Sequence, residues 1–172
     1  TVYLTSTVDN IYGGGNEAIT SGNTYVKLTN ATVNTNAYGG GNGSAAVVAG
    51  NSTIIVEGTT SIGGDLFGGG NAAANGSENN DNSQVTVLIT GGTINGDVYG
   101  AANTSVVYGD TYVKIGSAAV NDNTLTKNSI NISGTVFGGG KSNDAGSANY
   151  DFTFESVTND VLIDINAYGY DN

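Results

Sequence analysis

Apolar and polar residues alternate with a period of two in five short stretches. These are Thr24-Tyr25-Val26-Lys27-Leu28, Thr53-Ile54-Ile55-Val56-Glu57, Gln84-Val85-Thr86-Val87-Leu88-Ile89, Thr111-Tyr112-Val113-Lys114-Ile115 and Tyr150-Asp151-Phe152-Thr153-Phe154-Glu155. β-Branched and aromatic residues at that spacing place one row of side chains on a buried face and the other toward solvent, which predicts strands. A second apolar run begins at Val33, Ile62, Ile94, Ile132 and Ile163 and ends, five residues later, at an aromatic ring. Tight connections such as Gly58-Thr59-Thr60 and Thr90-Gly91-Gly92-Thr93 join the first run to the second. Looser stretches rich in Gly, Asn, Ser and Ala lead to the next copy. The β-branched alternation and the glycine content exclude helix.

The ring that closes each second run is followed by glycines, in clusters at 11–16, 37–42, 66–71, 98–103, 136–141 and, truncated, 167–169. The first glycines lie at 13, 39, 68, 100, 138 and 169, so the repeat advances by 26, 29, 32, 38 and 31 residues, the range of solenoids and arrays. The long step is accounted for by extra residues, Ser117 to Lys127, between the two runs. A repeat of two short strands cannot bury its own apolar face, so copies must stack and share one core. The expected fold is therefore all-β, a parallel β-solenoid of about six stacked partial coils, each rising about 4.8 Å, with residues 1–172 as a single repeat domain. A β-propeller is the main rival, but its blades need four strands where these repeats offer two. Because the chain opens in mid-pattern at Thr1-Val2-Tyr3-Leu4, it reads as a segment of a longer or processed protein.

Charge narrows the partners. Four Lys and Arg stand against 15 Asp and Glu, a net charge of −11, which leaves no basic stripe for nucleic acid or anionic lipid. No apolar run is long enough to span a membrane. The chain has no Cys, His, Met or Trp, so most nucleophilic, transition-metal and redox chemistry lacks its side chains. The absence of Cys fits an extracellular, disulfide-free protein.

Stacked coils turn recurring residues into ladders. The first is aromatic: Tyr12, Tyr38, Phe67, Tyr99, Phe137 and Tyr168. Its rings either fill a corner of the core or form an exposed stripe able to stack on sugars or on a neighbouring molecule. Alternation within the second run points the ring outward when Leu66 or Val98 points in, whereas a bend at Gly63-Gly64 or Asn95-Gly96 resets that parity. The second ladder is Asn16, Asn42, Asn71 and Asn103, expected to link amide to amide along the stack in a left-handed turn backbone that the preceding glycines permit. Lys141 replaces the fifth Asn and is expected to end it.

Three further motifs invite chemistry. Gly138-Gly139-Gly140-Lys141-Ser142 resembles a phosphate loop, but Thr135 stands where its first glycine belongs and no helix follows. Asp65 and Asp97 occupy equivalent places two before the ring, at a separation suited to retaining glycosidase carboxylates. Their equivalents, Asn10, Asn36, Thr135 and Asn166, and the lack of Arg or His favour two solvated acids instead. No cofactor is implied; calcium is the only candidate metal, at scattered sites in Glu78-Asn79-Asn80-Asp81-Asn82 or Asn121-Asp122-Asn123. Threonines Thr24, Thr53 and Thr111 share one recurring place, too few for a crystal-surface binder.

The recurring Tyr-Gly-Gly-Gly-Asn, together with Gly22 to Leu28 and Gly91 to Gly100, resembles the repeat regions of very large secreted or wall-attached proteins of Gram-positive bacteria, often grouped with adhesins. The resemblance covers nearly the whole chain, and the fourth cluster, Gly100-Ala101-Ala102-Asn103, departs from the pattern. It implies an extracellular, non-enzymatic structural or adhesive β-solenoid module and brings no catalytic residues. Glycan, host surface protein or other copies of the chain, end to end or side by side, are the expected partners. The alternatives are a carbohydrate-binding or carbohydrate-active β-helix using the rings or Asp65 and Asp97, and a self-assembling fibre subunit.

Overall fold

A computed structural model describes residues 1–77, 82–116, 130–141, 150–154 and 167–168, the last two segments by backbone pairing alone. The first coil holds β1 (Val2–Leu4), β2 (Thr7–Val8) and β3 (Ile11–Tyr12); the second holds β4 (Thr24–Thr29), β5 (Thr32–Val33) and β6 (Ala37–Tyr38). The third runs through β7 (Ser52–Glu57), β8 (Ser61–Ile62) and β9 (Leu66–Phe67), and the fourth through β10 (Gln84–Ile89), β11 (Gly92–Ile94) and β12 (Val98–Tyr99). The fifth has β13 (Asp110–Ile115), β14 (Ile130–Ile132) and β15 (Val136–Phe137), and β16 (Tyr150–Phe154) and β17 (Ala167–Tyr168) continue the pattern. No helix occurs among the described residues.

Equivalent strands pair in parallel, giving three sheets in the orders β1-β4-β7-β10-β13-β16, β2-β5-β8-β11-β14 and β3-β6-β9-β12-β15-β17. The chain is thus a β-solenoid of stacked parallel sheets, of about four turns rather than six partial coils. The second apolar run proves to be two strands in different sheets, so the bend that Gly63-Gly64 and Asn95-Gly96 allow is present.

Register follows the alternation of the first run. Val26, Ile54, Val87 and Val113 form one inward column, and Leu28, Val56, Ile89 and Ile115 the next. Both belong to the main core together with Val33, Ile62, Ile94, Leu66 and Val98. Each such side chain, fully buried, stabilises the fold by about 1.5–3 kcal/mol relative to exposure. Outward, the same strands form columns of Tyr25, Thr53, Thr86 and Tyr112 and of Lys27, Ile55, Leu88 and Lys114. Thr53 therefore does not share a column with Thr24 and Thr111, which point inward beside Ser52 and Val85.

The looser stretches carry register as well. Isolated parallel bridges link Asn16, Asn42 and Asn71, and link Thr20, Val48, Asn75 and Val107. At this corner the Thr24 hydroxyl donates to the Gly39 carbonyl and the Thr111 hydroxyl to that of Gly138, each at 2.7 Å. Val85 holds the equivalent place in the fourth coil, and its hydroxyl-free side chain packs with Ala101, Ala102 and Val107. The Gly-to-Ala departure in that coil thus coincides with an apolar patch where the second, third and fifth coils have the hydroxyls of Thr24, Ser52 and Thr111.

Candidate functional site

The aromatic ladder is a continuous column. Tyr12, Tyr38, Phe67, Tyr99 and Phe137 stack at centroid separations of 4.9 Å with interplanar angles of 4–7°. That spacing matches the rise between paired strands and the offset geometry that aromatic quadrupoles favour. Adjacent strand residues point to opposite faces: Leu66 enters the main core, and Phe67 joins a separate cluster made of the rings alone. Although directed away from the interior, Tyr38, Phe67 and Tyr99 are only 3%, 1% and 5% exposed. Each ring face is covered by the ring of the next coil, so the column is buried without belonging to the main core. This decides against an exposed stripe at these three positions; Tyr168's side chain lies outside the described residues.

Burial holds the hydroxyls neutral. It raises the Tyr38 pKa, against the opposing effect of a 3.3 Å hydrogen bond from Asn36. Burial also raises that of Tyr99, reinforced by the Asp97 carboxylate to which its hydroxyl donates at 3.0 Å. Folded values above the ordinary 10.0 mean that the unfolded chain ionises first. Stability should hold up to about pH 10 and fall above it, where the folded state binds more protons than the unfolded. Melting temperature followed by circular dichroism across the alkaline range should fall less steeply in Tyr99→Phe; parallel slopes would count against the assignment.

Beside the rings runs a ladder that the sequence reading missed. The side-chain oxygens of Asn10, Asn36, Asp65 and Asp97 accept the backbone N–H of Asn36, Asp65, Asp97 and Thr135 at 3.2, 2.7, 2.9 and 2.8 Å. Each side chain thus bonds the equivalent residue one coil on. The remaining oxygens are also engaged: Asp65 Oδ2 accepts from Lys141 Nζ at 2.7 Å and Asp97 Oδ2 from Tyr99. The expected picture of two solvated acids is corrected, since both are partly buried and accept at both oxygens. The signal was the recurrence of Asn or Asp two before the ring, because either residue offers the acceptor this corner needs.

Asp65→Asn should therefore cost less than about 1 kcal/mol, since the amide oxygen keeps the backbone bond and what is lost is an ion pair whose lysine is half-exposed. Asp65→Ala leaves the Asp97 N–H without its partner and should cost about 1–3 kcal/mol. Urea unfolding of the two variants checks this, and equal midpoints would refute it.

Lys141 spans two coils: its backbone N–H donates to the Ala102 carbonyl, and its ammonium lies 5.6 Å from the Tyr99 centroid and 6.0 Å from that of Phe67. The amide ladder ends before it, as expected. Asn42, Asn71 and Asn103 donate their Nδ2 to Asn16, Asn42 and Asn71 at 2.7, 2.9 and 2.9 Å. The left-handed residue is not the asparagine, however, but the one after it: Glu17 and Ala72 at φ 53° and Gly43 at φ 91°. Gly39 and Gly40 are outside that region too; they are glycines because the next coil's backbone leaves no room for a Cβ.

Lys27 and Glu57 pair on the outer face of the first sheet at 3.0 Å. Burial alone would raise the Glu57 pKa, but hydrogen bonds from Thr29 and Lys27 outweigh it and lower it. Among the described residues no group of three or more acids could hold a metal ion, and no helix is long and apolar enough to cross a membrane. Of the two candidate calcium stretches, Asn121–Asn123 and all of Glu78–Asn82 except Asn82 lie outside the described residues. Comparison with protein-family models, curated proteins and solved structures returns no match to this chain.

Proposed function

We propose that this protein is a non-enzymatic structural or adhesive module of an extracellular β-solenoid, of the kind borne on or secreted by Gram-positive bacteria. The observation that carries the reading is the use made of its chemically able side chains. The rings stack on one another, the Asn amides bond along the stack, and Asp65 and Asp97 each accept a backbone N–H from the next coil. Groups committed to holding coils together are poorly placed to act on a substrate. What such a column offers is a stiff acidic rod with repeating surface columns.

Adhesive contacts, to glycan, host protein or another copy, then fall to the outward face of the first sheet rather than to the ring column. There Tyr25, Ile55 and Leu88 are half-exposed around the Lys27–Glu57 pair, in a chain whose net charge is −11. The experiment is a glycan array and sedimentation analysis of the wild type beside Tyr25→Ala and Leu88→Glu. Binding or self-association lost in these variants but kept in Tyr38→Phe supports the reading. Polysaccharide cleavage by the wild type that Asp65→Asn abolishes would overturn it in favour of a carbohydrate-active enzyme.

A further inference from the structure

Asn-Gly is the dipeptide in which an asparagine amide is lost most readily. The glycine nitrogen, with no side chain beside it, attacks the Asn Cγ; the Cγ–Nδ2 bond breaks and ammonia leaves. Water then opens the succinimide to aspartate, or to isoaspartate, whose main chain runs through the former side-chain carboxyl. The sequence has three such pairs, Asn42-Gly43, Asn75-Gly76 and Asn95-Gly96. In all three the attacking nitrogen already donates its proton to a neighbouring coil: Gly43 to Asn71 O at 2.8 Å, Gly76 to Val48 O at 2.9 Å and Gly96 to Gly64 O at 3.0 Å. Ring closure requires that proton to leave and the peptide plane to rotate, which would break the bond between coils.

The side chains differ in a useful way. Asn42 is held at both ends, donating to Asn16 and accepting from Asn71. Asn75 is fully buried and donates to Ser52 Oγ at 2.6 Å. Asn95 is exposed, so its backbone bond is the restraint it shares with the others. We infer that these pairs are three modification sites closed by coil stacking: the wound chain suppresses succinimide formation at each, and a coil that opens becomes its substrate.

The reaction is also one-way for the fold. An aspartate at 42 cannot donate to Asn16, and a carboxylate at 75 would be buried between the Val48 and Val107 bridges at the cost of an unpaired charge. Isoaspartate adds an atom to the main chain and destroys the residue-for-residue register on which stacking depends. A coil that stays open long enough to react cannot rewind as before.

The test compares the intact folded protein with the same protein in guanidinium, at one mildly alkaline pH and one temperature, by isoaspartate mapping with mass spectrometry. Amide hydrogen exchange at Gly43, Gly76 and Gly96 is measured alongside. Folded protein should react on the order of 100-fold or more slowly at all three sites, in the rank order of their exchange protection, because both need the same opening. Reaction of Asn95 in the folded protein at the guanidinium rate would overturn the backbone lock. So would fast modification at any site whose glycine amide exchanges slowly.

Discussion

Phe67→Ala should lower the melting temperature by about 10 °C or more. The side chain is 1% exposed and stacked on both faces, against Tyr38 and Tyr99. Removing a buried Phe costs about 3–5 kcal/mol through lost transfer energy and the cavity left behind, and each broken ring pair adds about 0.5–1.5 kcal/mol. At about 2–4 °C per kcal/mol for a chain of this size, the fall is large. Phe67→Tyr is the matched control and should cost little, since tyrosines hold the same place one coil away on either side. A thermal scan in which Phe67→Ala melts within about 2 °C of the wild type would mean that the column is ornament rather than support.

Gly39→Ala should be comparably damaging for a different reason. A methyl group there would run into the carbonyl oxygen and carbon of Gly68 in the next coil, which are main-chain atoms and cannot swing aside. Either the coils separate or the corner distorts, at about 3 kcal/mol or more, the upper end of overpacking costs. Gly22→Ala is the contrast: its added methyl meets nothing within 4 Å, and the loss of unfolded-chain freedom should leave stability unchanged or raised by about 0.4–1 kcal/mol. Chemical denaturation of the pair distinguishes a steric requirement for glycine from a general preference. Equal destabilisation by both substitutions would remove the steric account.

Much of the fold could be read from the residues because its signals are local. Val26, Leu28, Ile54 and Val56 alternate with polar or exposed neighbours, and the ring-glycine cluster returns at intervals too short for a four-stranded blade. The amide ladder and its end at Lys141 followed from the same spacing. The site was less legible. Asp65 and Asp97 looked like a pair, and their Asn equivalents looked like exceptions, until the bonds from each coil to the next made all four one series. Thr53 seemed to belong with Thr24 and Thr111, and a shift of one residue in register put it on the opposite face.

What the chain's order of residues determined alone was the unit and its stacking: period-two runs that need a shared core, cut to a repeat whose copies pair in parallel. The winding decided the rest. A ring that local alternation directs away from the core became buried because the coils above and below lie one strand spacing away. Glycine became obligatory at position 39 because another main chain passes there, and an acid or amide became a hydrogen-bond acceptor because its partner is a coil distant. Strand pairing between coils joins residues 24 to 39 positions apart, from Val2 with Val26 to Thr111 with Tyr150, and such separations are set by the closed turn and not by any neighbour in sequence.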